Sequence, residues 1–487
     1  MLAQPQPHPS GLYALFFTEM WERFSYYGMR ALLILFLTGT ASTGGLNIDT
    51  PVAGAIYGLY VAGVYLAALP GGWIADRLLG AQRAVWIGGT IIAIGHFTLA
   101  VPNQKTFFLG LVLIVIGTGL LKPNISTLVG SLYPEGGPRR DAGFTIFYMG
   151  INLGAFLGPI ICSTLGEKVN WHYGFAAAGV GMVVGLVQFG FSKHLLGKAG
   201  SLPEASATHR RDWKLVIVSV VALVVTVILV MTGVVRFDPV RLAQGTAGVI
   251  AGLALLYFAG VFLFGKLSTP ESRRVIVIGI LFVASALFWA GYEQAGSSLN
   301  LFAKNYTSRS IETLNVELAA GWFQSVAPLF VITLAPVVAA VWVGLARRGI
   351  APSLPAKFGW GLLLLAGGFF VVSQAAGRAL QVGKVGPGWL IMTYFLHVLG
   401  ELLVSPVGLS SVTKLAPARL VGQMMGIWFL ATSLGNLLAG LFAGDVSGAN
   451  AAAMPSGFLH VALFASAVGV LLLVCAKPIR RLMPGIN

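Results

Sequence analysis

From the amino end onward, apolar windows of about twenty residues alternate with short links that carry charge, proline or glycine. A bilayer's hydrocarbon is roughly 30 Å thick, and about 20 helical residues cross it, so each window predicts a membrane-spanning helix. Fourteen are predicted, over 12–38, 52–76, 84–101, 106–131, 142–165, 172–192, 213–235, 243–265, 275–300, 318–345, 358–376, 388–413, 420–443 and 457–476. The longest link, 193–212, is too short for a soluble domain. Windows seven and eight differ in kind, because Leu215–Met231 and Ala247–Phe264 contain no acidic or basic side chain. They read as lipid-facing accessory helices, which leaves two sets of six. The expected organisation is an all-α polytopic membrane protein: an N-terminal six-helix bundle over 1–192, a cytoplasmic link with two accessory helices over 193–272, and a C-terminal six-helix bundle over 273–487. Secondary transporters use such halves to rock about a midplane site.

Composition agrees, since 56% of the 487 residues are hydrophobic and only 10% are charged. The formal charge of +15 changes the picture less than it promises. The 31 lysines and arginines are scattered through short loops rather than gathered in a stripe, so no nucleic-acid partner is expected. With the amino terminus in the cytoplasm, twenty of the 31 fall in inner loops and eight in outer ones, leaving Arg23, Arg30 and Lys122 inside spans. That is the asymmetry of the positive-inside rule, and it puts both termini in the cytoplasm. The opening MLAQPQPHPS has no basic region, and the first window is too long and too charged for a cleaved signal, so it is expected to be retained. Cys162 and Cys475 lie far apart in apolar windows and read as packing residues; neither a disulfide framework nor a metal site is indicated.

The charges inside the windows carry the chemistry. The first window holds Glu19, Glu22, Arg23 and Arg30, which with Tyr26 and Tyr27 fall on one helical face. Lys122, Glu293 and Glu401 are buried in later windows. An ionisable group at mid-membrane costs about 2.5–3.5 kcal/mol on insertion scales, so such residues mark a site by default. Three cations against four anions are expected to pair with one another. Arg23 and Lys122 offer a cationic end that suits a carboxylate, and Glu401 an anionic end that suits an ammonium; a zwitterion fits both. Tyr26, Tyr27, Tyr65, Tyr148, Asn152, Trp289, Gln294 and Trp428 lie on spans near these charges and could add donors and aromatic walls, although helix aromatics more often serve packing. Pro123 and Pro406 are expected to interrupt their helices beside charged residues. His96 and His397 read as hydrogen-bonded packing residues. No HExxH, GxSxG or metal-spaced His/Cys cluster points to an enzyme.

The run EMWERFSYYG, Glu19 to Gly28, matches the ExxERFxYYG motif of the proton-coupled oligopeptide transporter family of the major facilitator superfamily. FYMGINLGAFLGP from Phe147 resembles that family's fifth-helix signature, FWAGYEQAGSSLNLFA from Phe288 its seventh-helix segment, and GELLVSPVGLSSVTKLAP from Gly400 its tenth. GGWIADRLLGAQRA from Gly71 is similar to the superfamily's loop motif, which would put Asp76 and Arg77 at the cytoplasmic gate. The resemblance implies a bacterial inner-membrane symporter that imports di- and tripeptides by alternating access, works as a monomer, and uses protons as coupling ion without a cofactor. Glu19, Glu22, Arg23 and Glu293 are implied in proton coupling. Arg23, Tyr27 and Lys122 are implied to receive the peptide carboxylate, Glu401 with Asn152 nearby its amine, and Tyr65, Tyr148, Trp289 and Trp428 to line the pocket. Arg30 with Glu293, and Lys122 with Glu401, resemble the outer and inner gates. Animal members have a histidine in the second helix; residues 52–76 contain none, so proton handling must rest on carboxylates. A related facilitator for nitrate or another small anion would need only the cationic end, which makes Glu401 the discriminating residue, together with the intact first-helix glutamates Glu19 and Glu22.

Overall fold

The computed structural model describes residues 7–201, 209–311, 315–349, 352–447 and 451–483; residues 1–6, on which the signal-peptide reading turns, and part of the 193–212 link lie outside them. The apolar windows became helices: α1 (Ser10–Thr38), α2 (Thr50–Ile74), α3 (Ala81–Leu99), α4 (Gln104–Ser131), α5 (Gly137–Lys168), α6 (Trp171–Ser192), α7 (His209–Met231) and α8 (Pro239–Phe264). Next come α9 (Thr269–Tyr292), the short α10 (Ser298–Tyr306), α11 (Val326–Arg347), α12 (Leu354–Val382), α13 (Gly388–Leu415), α14 (Val421–Ser447), α15 (Met454–Val474) and the six-residue α16 (Ala476–Arg481). Leaving aside the two short ones, fourteen long helices among the described residues match the fourteen predicted windows. Side chains set their ends: Asn103 and Asn170 cap α4 and α6, and Ser268 with Glu271 forms a capping box at α9.

Contacts group the chain into two compact units, Met1–Leu32 with Leu66–Phe237, and Leu33–Tyr65 with Asp238–Asn487. In the first, Leu12, Val85, Leu121, Phe147, Met182 and Phe189 belong to one buried apolar core. One close joint in it sets α1 against α5. A Cβ on Gly150 would meet the Phe16 carbonyl at 2.9 Å, one on Gly154 would strike the Met20 carbonyl and lie 2.8 Å from Phe24 N, and one on Gly158 would strike the Phe24 carbonyl. Three glycines at four-residue spacing thus let two backbones touch, as small residues do wherever helices associate in lipid. Lower down α1, Gly28 is filled by the Cys162 sulfur of α5, so this cysteine is the packing residue expected of it. Gly154→Leu is expected to push α1 off α5, with loss of transport and a lower apparent melting temperature in detergent; unchanged melting would show that the joint yields.

Neither Pro123 nor Pro406 interrupts its helix, contrary to expectation: α4 and α13 run through both. At Pro123 the missing N–H frees the Gly119 carbonyl, which sits where a side chain on Gly71 of α2 would be, while Asn124 Nδ2 donates to Leu120 O at 2.6 Å. The break occurs instead at Glu293, where α9 ends in a 3-10 turn, Glu293–Gly296, before α10 resumes. No proline is involved.

The accessory helices are tied to loops of their own units. None of the apolar window of α7 is buried in the protein, but Asp212 at its head is, 3.6 Å from Arg77 in the π-helical turn Ala75–Leu79 that follows α2. Gln82 Nε2 holds the preceding link by donating to the carbonyls of Gly197 and Ala199 at 3.2 and 2.6 Å. At the tail of α8, Arg419 donates to the carbonyls of Gly265 and Lys266 at 2.8 and 3.2 Å and pairs with Glu271 at 3.0 Å.

Candidate functional site

In the first unit the charged face of α1 closes on itself. Arg23 Nε lies 3.0 Å from Glu19 Oε1 and also pairs with Glu22, and all three side chains are almost completely buried. The pairing is incomplete: Glu19 Oε2, both Glu22 oxygens and Arg23 Nη2 make no hydrogen bond. A buried guanidinium with donors to spare, between two carboxylates with acceptors to spare, is poised to exchange partners rather than locked as a structural pair. Arg23 also stacks over Tyr26 at 5.3 Å, and Arg30 over Tyr27 at 5.7 Å, while the two tyrosine rings meet edge to face. Lys122 on α4 is a second cation within electrostatic reach of Glu19. On α5, buried Asn152 donates to the Tyr148 carbonyl at 3.0 Å, whereas the Tyr148 side chain is exposed. The glycine stripe explains why these groups converge, since the Cβ of Arg23 itself lies 2.9 Å from where a Gly154 side chain would begin.

In the second unit the end of α9 meets α13. Glu293 is buried at the helix break, and the residue before it, Tyr292, donates its hydroxyl to Glu401 Oε2 at 2.5 Å. Trp289 packs edge to face on Tyr292, 5.5 Å between centroids, and its Cβ abuts Gly435 of α14. Trp428 is buried, edge to face with Phe358 at 6.3 Å, and its ring lies in the gap at Gly408. Tyr65 on α2 is half-buried. Gln294 is buried and its Oε1 accepts from Ser298 at 2.7 Å, a bond within the broken helix.

The sequence motifs therefore fall on two clusters of ionisable side chains, Glu19, Glu22 and Arg23 in one unit and Glu293 and Glu401 in the other, and comparison with known proteins names the family. A sequence model of the POT family matches residues 82–456. The chain belongs to the POT family. A peptide transporter of Yersinia enterocolitica is 44% identical over 98% of this chain and 95% of that protein, and a di-/tripeptide transporter of Lactococcus lactis subsp. cremoris 36% identical over 98% and 96%. A crystal structure of a POT peptide transporter in complex with sulfate superposes with a TM-score of 0.90 at 42% identity, over 98% of this chain and 96% of that one. This POT chain is a multi-pass membrane transporter and not an enzyme.

Asp76 and Arg77 are exposed, and Arg77 Nη1 lies 3.6 Å from Asp212 Oδ2. His96 and His397 are fully buried; neither ring nitrogen of His96 makes a hydrogen bond, which corrects the hydrogen-bonded reading for that residue, whereas the His397 ring fills the gap left by Gly368 beside the Leu365 backbone. Tyr292, which sequence reasoning missed, is the direct partner of Glu401. Its signal was its place beside Glu293 in the seventh-helix segment, but its partner lies 109 residues away, and no local pattern reports that.

Proposed function

We infer that this transporter is a proton-coupled symporter that imports di- and tripeptides by alternating access. The observation that carries the reading is Arg23, held between Glu19 and Glu22 with guanidinium donors unspent. When a proton neutralises Glu22, Arg23 loses one of two anions and is released toward the carboxylate of a peptide, assisted by Tyr27 and Lys122. Glu401, with Asn152, receives the amino end, and Tyr65, Tyr148, Trp289 and Trp428 shape the pocket. Protonation of Glu293 acts on Arg30 in the same way. Binding of proton and substrate then biases the exchange between two arrangements of the helices, each satisfying a different set of pairs. The gate roles of Arg30 with Glu293, and of Lys122 with Glu401, rest on family resemblance.

The names of the relatives favour peptides over nitrate or another small anion, and so does an acidic residue at Glu401. A POT transporter 34% identical to this chain has been crystallised with 5-aminolevulinic acid, a molecule with an amine at one end and a carboxylate at the other. The same reading places the chain in a bacterial inner membrane with both termini cytoplasmic, surrounded by lipid and working as a monomer, with the proton as coupling ion and no cofactor.

Proteoliposome uptake tests it. A labelled dipeptide is expected to accumulate when the interior is made alkaline, and Glu401→Ala is expected to weaken peptides with a free amino end at least tenfold more than N-acetylated ones. Equal losses for both would remove the proposed polarity of the site.

A further inference from the structure

We propose that Tyr292 is the positioning residue of the amine subsite, holding the Glu401 carboxylate in one orientation and joining it mechanically to Glu293. This rests on the reading of Glu401 given above. A glutamate side chain has three rotatable bonds, and fixing it for a ligand costs conformational entropy that a permanent tether removes in advance. Here the tether is the Tyr292 hydroxyl, 2.5 Å from Oε2. A carboxylate has about four acceptor positions, so one phenol leaves ample capacity for an ammonium.

The donor is itself held. The Tyr292 ring stacks on Phe288 at 5.8 Å and 22°, meets Trp289 at 84°, and lies 6.5 Å from the His397 ring, which is packed on Phe369 at 4.9 Å. His397 precedes Glu401 by one turn of α13, so α13 supplies both the carboxylate and one wall of the box that aims the phenol at it. The imidazole is fully buried and serves there as a ring. Tyr292 is also the last residue of α9, directly bonded to Glu293, which opens the 3-10 turn. A 3-10 interruption inside a longer helix marks a hinge. Any adjustment of that turn when Glu293 changes its charge passes through one peptide bond and one phenol to the group that grips the substrate amine.

The test measures inhibition of labelled dipeptide uptake by an unlabelled dipeptide and by its N-acetyl derivative, in the parent, Tyr292→Phe, Glu401→Gln and the double variant. Tyr292→Phe keeps the ring and its packing and removes only the hydroxyl. The preference for the free amine is expected to fall about tenfold, in line with a hydrogen bond to a charged group, and in the Glu401→Gln background the same change is expected to alter the preference less than twofold. A Tyr292→Phe variant that weakens both ligands equally, or whose effect multiplies with that of Glu401→Gln, would overturn the proposal. If Glu401→Gln itself leaves the preference untouched, the amine subsite is elsewhere, and the reading of Glu401 fails first. Tyr292→His, which restores a ring donor, is the safeguard against misfolding: it is expected to recover part of the preference, and a fully folded Tyr292→His with none recovered would count against positioning by the hydroxyl.

Discussion

Glu22→Gln is expected to abolish uphill accumulation while leaving exchange of labelled for unlabelled peptide across the membrane. A permanently neutral side chain cannot carry a proton from one face to the other, so the substrate cycle is cut loose from the gradient. The magnitude is large: one pH unit across the membrane is worth about 1.4 kcal/mol per proton, a factor of about ten in accumulation, and a membrane potential adds about 2.3 kcal/mol per charge per 100 mV. Parent proteoliposomes with an alkaline, negative interior should concentrate peptide well above that factor, whereas the variant should only equilibrate it. The geometry makes Glu22 the sharper choice than Glu19, because it is adjacent to Arg23 in sequence, pairs with it, and has both oxygens without a hydrogen bond. Accumulation by the variant equal to that of the parent would move the coupling proton to another carboxylate.

Arg23→Leu should be the most damaging single change to the folded protein. Removing one member of a buried ion pair strands the other, at a cost of about 3–5 kcal/mol, and Arg23 leaves two carboxylates behind, each almost wholly buried. Its apparent melting temperature in detergent should drop sharply and transport should vanish. The cause can be separated from the loss of a large side chain, because neutralising the stranded partners in the triple variant Glu19→Gln, Glu22→Gln, Arg23→Leu should restore most of the melting temperature and none of the transport. A single variant that melts like the parent would mean that these carboxylates are reached by water and that the cluster is less sealed than its burial shows.

The contrast between what the chain pattern reveals and what it hides follows from range. Hydrophobicity is a property of each window alone, so all fourteen windows return as long helices among the described residues, twelve of them apolar enough to cross a membrane, and charges in the wrong solvent announced themselves one by one at Glu19, Glu22, Arg23, Arg30, Lys122, Glu293 and Glu401. Helical spacing likewise put Glu19 on the face of Arg23, and the two do pair. Local rules misled at Pro123, where the freed carbonyl finds a place against a glycine on another helix, and they were silent about the break at Glu293, which has no proline to signal it. Tyr292 and Asp212 escaped because their importance lies wholly in partners far along the chain, Glu401 and Arg77. His96 was misjudged in its bonding because its place is one of packing: its Cβ lies 3.2 Å from where a Gly179 side chain would begin, and neither ring nitrogen finds a partner.

The α5 glycines bear on more than packing. Because main chain rests on main chain at Gly150, Gly154 and Gly158, α1 has no soft layer of side chains through which a slip could be absorbed. Adding or deleting one residue ahead of Glu19 would rotate everything before it by roughly 100° relative to the ionised face, and the mismatch could not be shared out along the helix. The joint acts as an indexing key: the register of the thirteen residues from Thr18 to Arg30 is fixed by the face of α5 that the helix touches.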